Sequence, residues 1–89
     1  MSYSYQEERP WLFTEKGQEC LLQAWDQAQK YLSSAGAFMA FAALRDVHYG
    51  DTFKAMAILD RLVELGYVRE VTSGCKGQDR VFVSGRSSR

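Results

Sequence analysis

The sequence predicts an α+β fold, mainly helical, in which three helices are followed by a β-hairpin. Three observations predict it. Residues 15–32 carry one apolar stripe of helical period, residues 52–65 carry a cleaner one that stops at Gly66, and two β-rich stretches near the C-terminus flank a segment containing Gly74 and Gly77. Eighty-nine residues are room for one domain. With 46% apolar and 25% charged residues and a single proline, the composition excludes a disordered or low-complexity chain.

Residues 1–10 are polar, with two tyrosines and no helical period, and read as a flexible N-terminal arm leading to Pro10. Trp11, Leu12 and Phe13 follow as a short apolar run that has to be buried, and open a domain over residues 11–84. Thr14 suits a helix N-cap and Glu15 suits the positive end of the helix dipole. The first helix then runs over 15–32, its stripe formed by Leu21, Trp25, Ala28 and Leu32, and Ser33, Ser34 and Gly36 stop it. Ala37–Met39 reads as a short extended segment and Phe41–Val47 as a second helix.

Asp51 caps a third helix reaching Leu65, with Ala55, Ile58, Leu59, Leu62 and Leu65 on one face and Gly66 at its stop. Tyr67–Thr72 and Arg80–Ser84 are the two strands of the hairpin. Residues 85–89 are a flexible tail.

No apolar run approaches the roughly 20 residues of a bilayer span, and Met1–Pro10 lacks the pattern of a secretory signal, so a cytoplasmic protein without membrane contact is expected. Eleven basic and eleven acidic residues cancel, which withholds the signature of a non-specific nucleic-acid coat. The balance hides an asymmetry. Residues 1–43 carry three basic and five acidic side chains, against eight and six in residues 44–89. Cys20 and Cys75 are too few for a disulfide framework and read as free thiols in a reducing compartment.

The segment Ala57-Ile58-Leu59-Asp60-Arg61-Leu62-Val63-Glu64-Leu65-Gly66-Tyr67-Val68 resembles the winged helix-turn-helix family, in which a recognition helix passes through a leucine-glycine step into the first wing strand. The resemblance covers about residues 15–84. It implies a winged helix-turn-helix fold, three helices followed by a β-hairpin wing, and duplex DNA as the partner, with the third helix in the major groove and the wing on the backbone. It also implies a transcriptional regulator of bacterial or mobile-element origin.

The residues give that expectation mixed support. With the apolar face at Ala55, Ile58 and Leu62, steps of about 100° per residue turn Phe53, Met56, Ala57, Asp60 and Glu64 outward. Those groups are poor readers of base edges, and the two carboxylates repel phosphates. Thr52 and Lys54 in the first turn, Arg61 further along the same side, and Arg45 and Tyr49 from the second helix are the candidate DNA contacts. Lys76 and Arg80 add the wing, and Arg86 and Arg89 extend the positive end. Outward Phe53, Met56 and Ala57 form an alternative: a stripe that binds a protein partner.

Palindromic operators favour two-fold dimers, and Leu21, Trp25 and Leu32 together with Trp11 and Phe13 are the candidate homodimer surface. No catalytic constellation or cofactor motif is visible. His48 is the one histidine, and Cys20, His48 and Cys75 are too scattered for a metal site.

Overall fold

The computed structural model describes residues 2–71 and 80–85. Helix α1 (Tyr5–Glu8) and a 3-10 turn (Arg9–Phe13) lead into the long helix α2 (Glu15–Ala35). Strand β1 (Ala37–Met39), the single-turn helix α3 (Ala40–Ala43), helix α4 (Thr52–Glu64) and strands β2 (Val68–Glu70) and β3 (Val81–Ser84) complete it. The molecule is α+β and mainly helical, with one antiparallel three-stranded sheet in the order β1-β3-β2.

The expected loop between the strands, the expected tail after Gly85, and Cys75, Lys76, Arg86 and Arg89 lie outside the described residues.

The caps fall where the sequence puts them. The Thr14 hydroxyl accepts the Gly17 N–H at 3.1 Å, and the Asp51 carboxylate accepts the Lys54 N–H at 2.9 Å, each satisfying an amide that the helix itself leaves free. At the end of α4 the Tyr67 N–H donates to the Leu62 carbonyl and the Gly66 N–H to the Val63 carbonyl, the paired bonds of a Schellman stop. Gly66 sits at φ 80°, a conformation that any side chain would strain, so the step from helix to strand needs glycine there.

Gly17 serves a different end. A Cβ at this position would meet the Trp11 carbonyl oxygen and come within 2.7 Å of Leu12 Cα, so its absence lets α2 lie directly on the 3-10 turn.

Three expectations are corrected. Residues 1–10, expected as a flexible arm, instead hold α1 and the start of the 3-10 turn, and Tyr3, Tyr5, Glu8 and Arg9 all reach α4. Helix α2 continues past Leu32 to Ala35, because the Ser34 hydroxyl bonds back to the Lys30 carbonyl at 3.0 Å and lets a serine stay inside the helix. The helix expected over Phe41–Val47 is only Ala40–Ala43. Leu44 leaves the helical conformation and Asp46 turns to φ 65°, which ends the element.

The sheet closes the core from one side. Phe38 pairs with Phe82 across β1 and β3, the two rings stacked at 5.3 Å, and Phe82 and Val68 face the same buried layer. Leu12, Cys20, Ala24 and Ala28 meet Ile58, Leu59 and Leu62 of α4 within that core. Strand alternation then turns Ala37, Met39, Val81 and Val83 to the opposite face. Among the described residues no helix is long and apolar enough to cross a membrane.

Candidate interaction surfaces

Two surfaces bear on function: the outward face of α4, and the free side of β1.

The outward face of α4 is occupied by the chain's own N-terminus. The Tyr3 phenol donates to Asp60 at 2.6 Å and its ring meets Phe53 edge-on at 5.8 Å. Tyr5 donates to Glu64 at 2.5 Å, and Arg9 Nε donates to the same carboxylate at 3.1 Å. Burial and the bond to Asp60 hold the Tyr3 phenol far above its ordinary range; burial and the bond to Glu64 push Tyr5 up to about 12. Glu64 in turn is lowered to about 2, by the Tyr5 hydroxyl first and the Arg61 guanidinium next.

The cations expected to reach DNA are engaged in the same way. Lys54 Nζ lies 3.0 Å from Glu8 and 3.9 Å from Asp51, and over the Trp11 ring at 5.7 Å; the bond to Glu8 raises its pKa. Arg61 lies 2.8 Å from Glu64, and both Arg61 and Arg9 rest against the Phe13 ring at 5.0 Å.

Arg80, expected beside the wing tip, is buried under the sheet with its side chain 11% exposed. Its guanidinium bridges Asp60 at 2.8 Å and Glu70 at 2.9 Å and covers the Phe82 ring. Burial works against its charge, but the bonds to Glu70 and Asp60 outweigh that and raise its pKa. Thr52 is exposed in the first turn of α4, Tyr49 packs partly against the core, and Arg45 is exposed at the far side of α3. Of Arg45, Tyr49, Thr52, Lys54, Arg61 and Arg80, the three cations Lys54, Arg61 and Arg80 are therefore paired with carboxylates of their own chain.

The alternative stripe on α4 does not form either. Ala57 is completely buried, and Phe53, which meets the Tyr3 ring, and Met56 are both half-buried. The N-terminal segment packs on part of the side expected to face outward, through Tyr3 on Phe53 and Asp60 and Tyr5 and Arg9 on Glu64. The expected dimer surface is largely used up as well. Leu21 is buried in the chain's own core, Trp11 and Leu32 pack against it, and Trp25 stacks on Tyr67 at 4.8 Å, which leaves Phe13 as the one exposed member.

The second surface is a groove of about 350 Å³ between Tyr31 of α2, the strand β1, and Phe41, Ala42 and Arg45 at α3. Phe41 is 49% exposed, Met39 38% and Tyr31 36%, so three large apolar side chains line one opening. A neighbouring depression of about 310 Å³ shares Tyr31 and Arg45 and adds Gln27, Lys30 and Ser34. No carboxylate among the described residues pairs with the Arg45 guanidinium. The sequence reading missed this site. Its trace is the run Ala35–Leu44, which contains no polar side chain and is longer than one buried face can absorb.

The described residues hold no cluster of three groups able to bind a metal ion. Cys20 is buried with its thiol against the His48 carbonyl at 3.4 Å, and burial pushes its pKa up, away from the reactive thiolate. No protein-family model, curated protein or solved structure matches the chain.

Proposed function

We propose that the chain is a non-catalytic recognition domain of winged-helix type whose ligand is a protein, docked in the groove beside β1. The helices α2, α3 and α4 followed by the β2–β3 pair support the winged-helix reading of the fold. One observation carries the functional reading. Lys54 and Arg61 of α4 and Arg80 just before β3 are bonded to carboxylates of their own chain, while half-exposed Phe41, Met39 and Tyr31 gather around one opening. Duplex binding draws its affinity from cations that are free to displace counterions at phosphates, and an apolar concavity draws it from dehydration. The groove favours the second.

A duplex-DNA reading through α4 and the hairpin retains one observation in its favour. Lys54 is held by Glu8, in a segment with no buried residue, so displacement of α1 returns that cation to the flank of Thr52.

Titration with random-sequence duplex fragments at low and moderate salt, beside the Lys54→Glu variant, separates the two. The protein-recognition reading expects no duplex binding at low salt, and expects protein or peptide ligands whose affinity depends on Phe41 and changes little with ionic strength. Salt-sensitive duplex binding that disappears in Lys54→Glu replaces it with the DNA reading.

A further inference from the structure

The groove follows the edge strand of the sheet formed by the described residues. β1 pairs with β3 alone, and among the described residues no strand lies on its other side. The Ala40 N–H donates to the Arg80 carbonyl at 3.0 Å, which turns the main chain of Phe38 and Ala40 toward β3. Main-chain direction alternates along a strand, so the N–H groups of Ala37 and Met39 face away from the sheet. An extended chain laid there finds main-chain donors on one flank and the apolar wall of Tyr31 and Phe41 on the other. Those are the elements of strand addition, in which ladder bonds supply affinity and alternate side-chain pockets supply selectivity.

The charges at the mouth select the occupant further. Arg45 lines both depressions and Lys30 lines the second, whose only other polar members are Gln27, Tyr31 and Ser34. Lys30 has an exposed partner, Asp26, at 3.7 Å, whereas the Arg45 guanidinium has no ion pair among the described residues. A guanidinium without an ion pair beside an apolar groove is complementary to a carboxylate, to which it donates two parallel N–H bonds.

We infer that the groove takes an extended peptide segment of a partner protein, added as a fourth strand along β1, with apolar side chains between Tyr31 and Phe41 and a carboxylate on Arg45. This rests on the protein-recognition reading above and names the chemistry of its ligand. Because the α4 face is closed by the N-terminal segment, the ligand reaches the domain from the opposite side of the sheet order, at β1 and not at β2.

The test is selection of random linear peptides displayed on phage against the full chain, followed by titration of a synthetic selected peptide into the wild type, Phe41→Asp and Arg45→Glu. Phe41 and Arg45 are exposed, so both variants keep the fold, which circular dichroism and the melting temperature verify. The expected result is a peptide with an acidic residue beside β-branched or aromatic ones. Its binding is lost in Phe41→Asp, weakened about tenfold in Arg45→Glu by reversal of the charge contact, and accompanied by new hydrogen-exchange protection of the Ala37 and Met39 amides.

Peptides that need Phe41 but ignore Arg45 and leave the Ala37 and Met39 amides unprotected overturn the acidic-strand inference and leave protein recognition standing. Peptides indifferent to Phe41, or none selected, overturn both. Concentration-dependent sedimentation of the wild type that Phe41→Asp abolishes assigns the groove to a second copy of the chain and also overturns the inference.

Discussion

Arg80 stands next to a glycine-bearing segment in the sequence, where a cation reads as a phosphate contact, yet it lies beneath the sheet between Asp60 and Glu70. Its partner on α4 is twenty positions away, and no local pattern announces such a pairing. Truncation of one member of a mostly buried charge cluster leaves the others desolvated and unpaired, so Arg80→Ala is expected to cost about 3 kcal/mol in urea unfolding. A surface phosphate contact would cost almost nothing, which makes the unfolding midpoint a direct check of where Arg80 sits. Gly17 is a second case. In the sequence it is only a weak helix residue, and its reason is the 3-10 turn pressed against it. Gly17→Ala should therefore destabilise by about 1–3 kcal/mol through overpacking, although alanine favours helices, and the same unfolding curve measures it.

At the scale of elements, α2, α4 and the hairpin strands were legible because each has its own signal: a helical period, capping Thr14 and Asp51, and the stop at Gly66. Helix α1 had none. Its contacts to α4, Tyr5 to Glu64 and Glu8 to Lys54, join residues 59 and 46 positions apart, and it buries no side chain, so neither periodicity nor composition marks it. Apart from the partly buried Tyr5 ring its side chains are polar, so its attachment depends in part on charge. The Glu64 carboxyl, lowered from 4.5 to about 2, favours the closed arrangement above its ordinary pKa, and that contribution disappears as pH falls from 4.5 through 2.

Tyr5 works in the opposite sense. Its phenol is raised from 10.0 to about 12, so its contribution is complete below pH 10 and disappears as pH rises through 12. The double variant Tyr5→Phe, Arg9→Ala should return the Glu64 titration toward 4.5, read by carboxyl NMR, while the amides of α4 keep their exchange protection. Loss of that protection along with the titration shift would show that α1 holds α4 in place rather than covering it.

At the scale of the molecule, the boundary of the domain depends on a single apolar side chain. Leu12 is completely buried and joins α2 to α4 from the 3-10 turn, whereas Tyr5–Glu8 has no buried residue at all. The sequence flagged Trp11-Leu12-Phe13 as a run needing burial without saying which member enters the core. The answer follows from the turn: Leu12 points inward, Trp11 lies partly covered beneath Lys54, and Phe13 emerges between two guanidinium groups.

A chain of this size has a total stability of about 5–10 kcal/mol, and Leu→Ala at a fully buried site costs about 2–5 kcal/mol. Leu12→Ala should therefore lower the melting temperature by about 15 °C, since 1 kcal/mol is worth about 4–8 °C in a domain this small. The pair Tyr3→Ala, Tyr5→Ala should shift it by far less, because only polar and half-exposed contacts are removed. Calorimetry on the three proteins decides the matter. Equal losses would make residues 3–13 one cooperative piece of the core, whereas a large loss for Leu12 alone sets the domain's true start at the 3-10 turn and leaves α1 as a cover that can be lifted without unfolding what lies beneath.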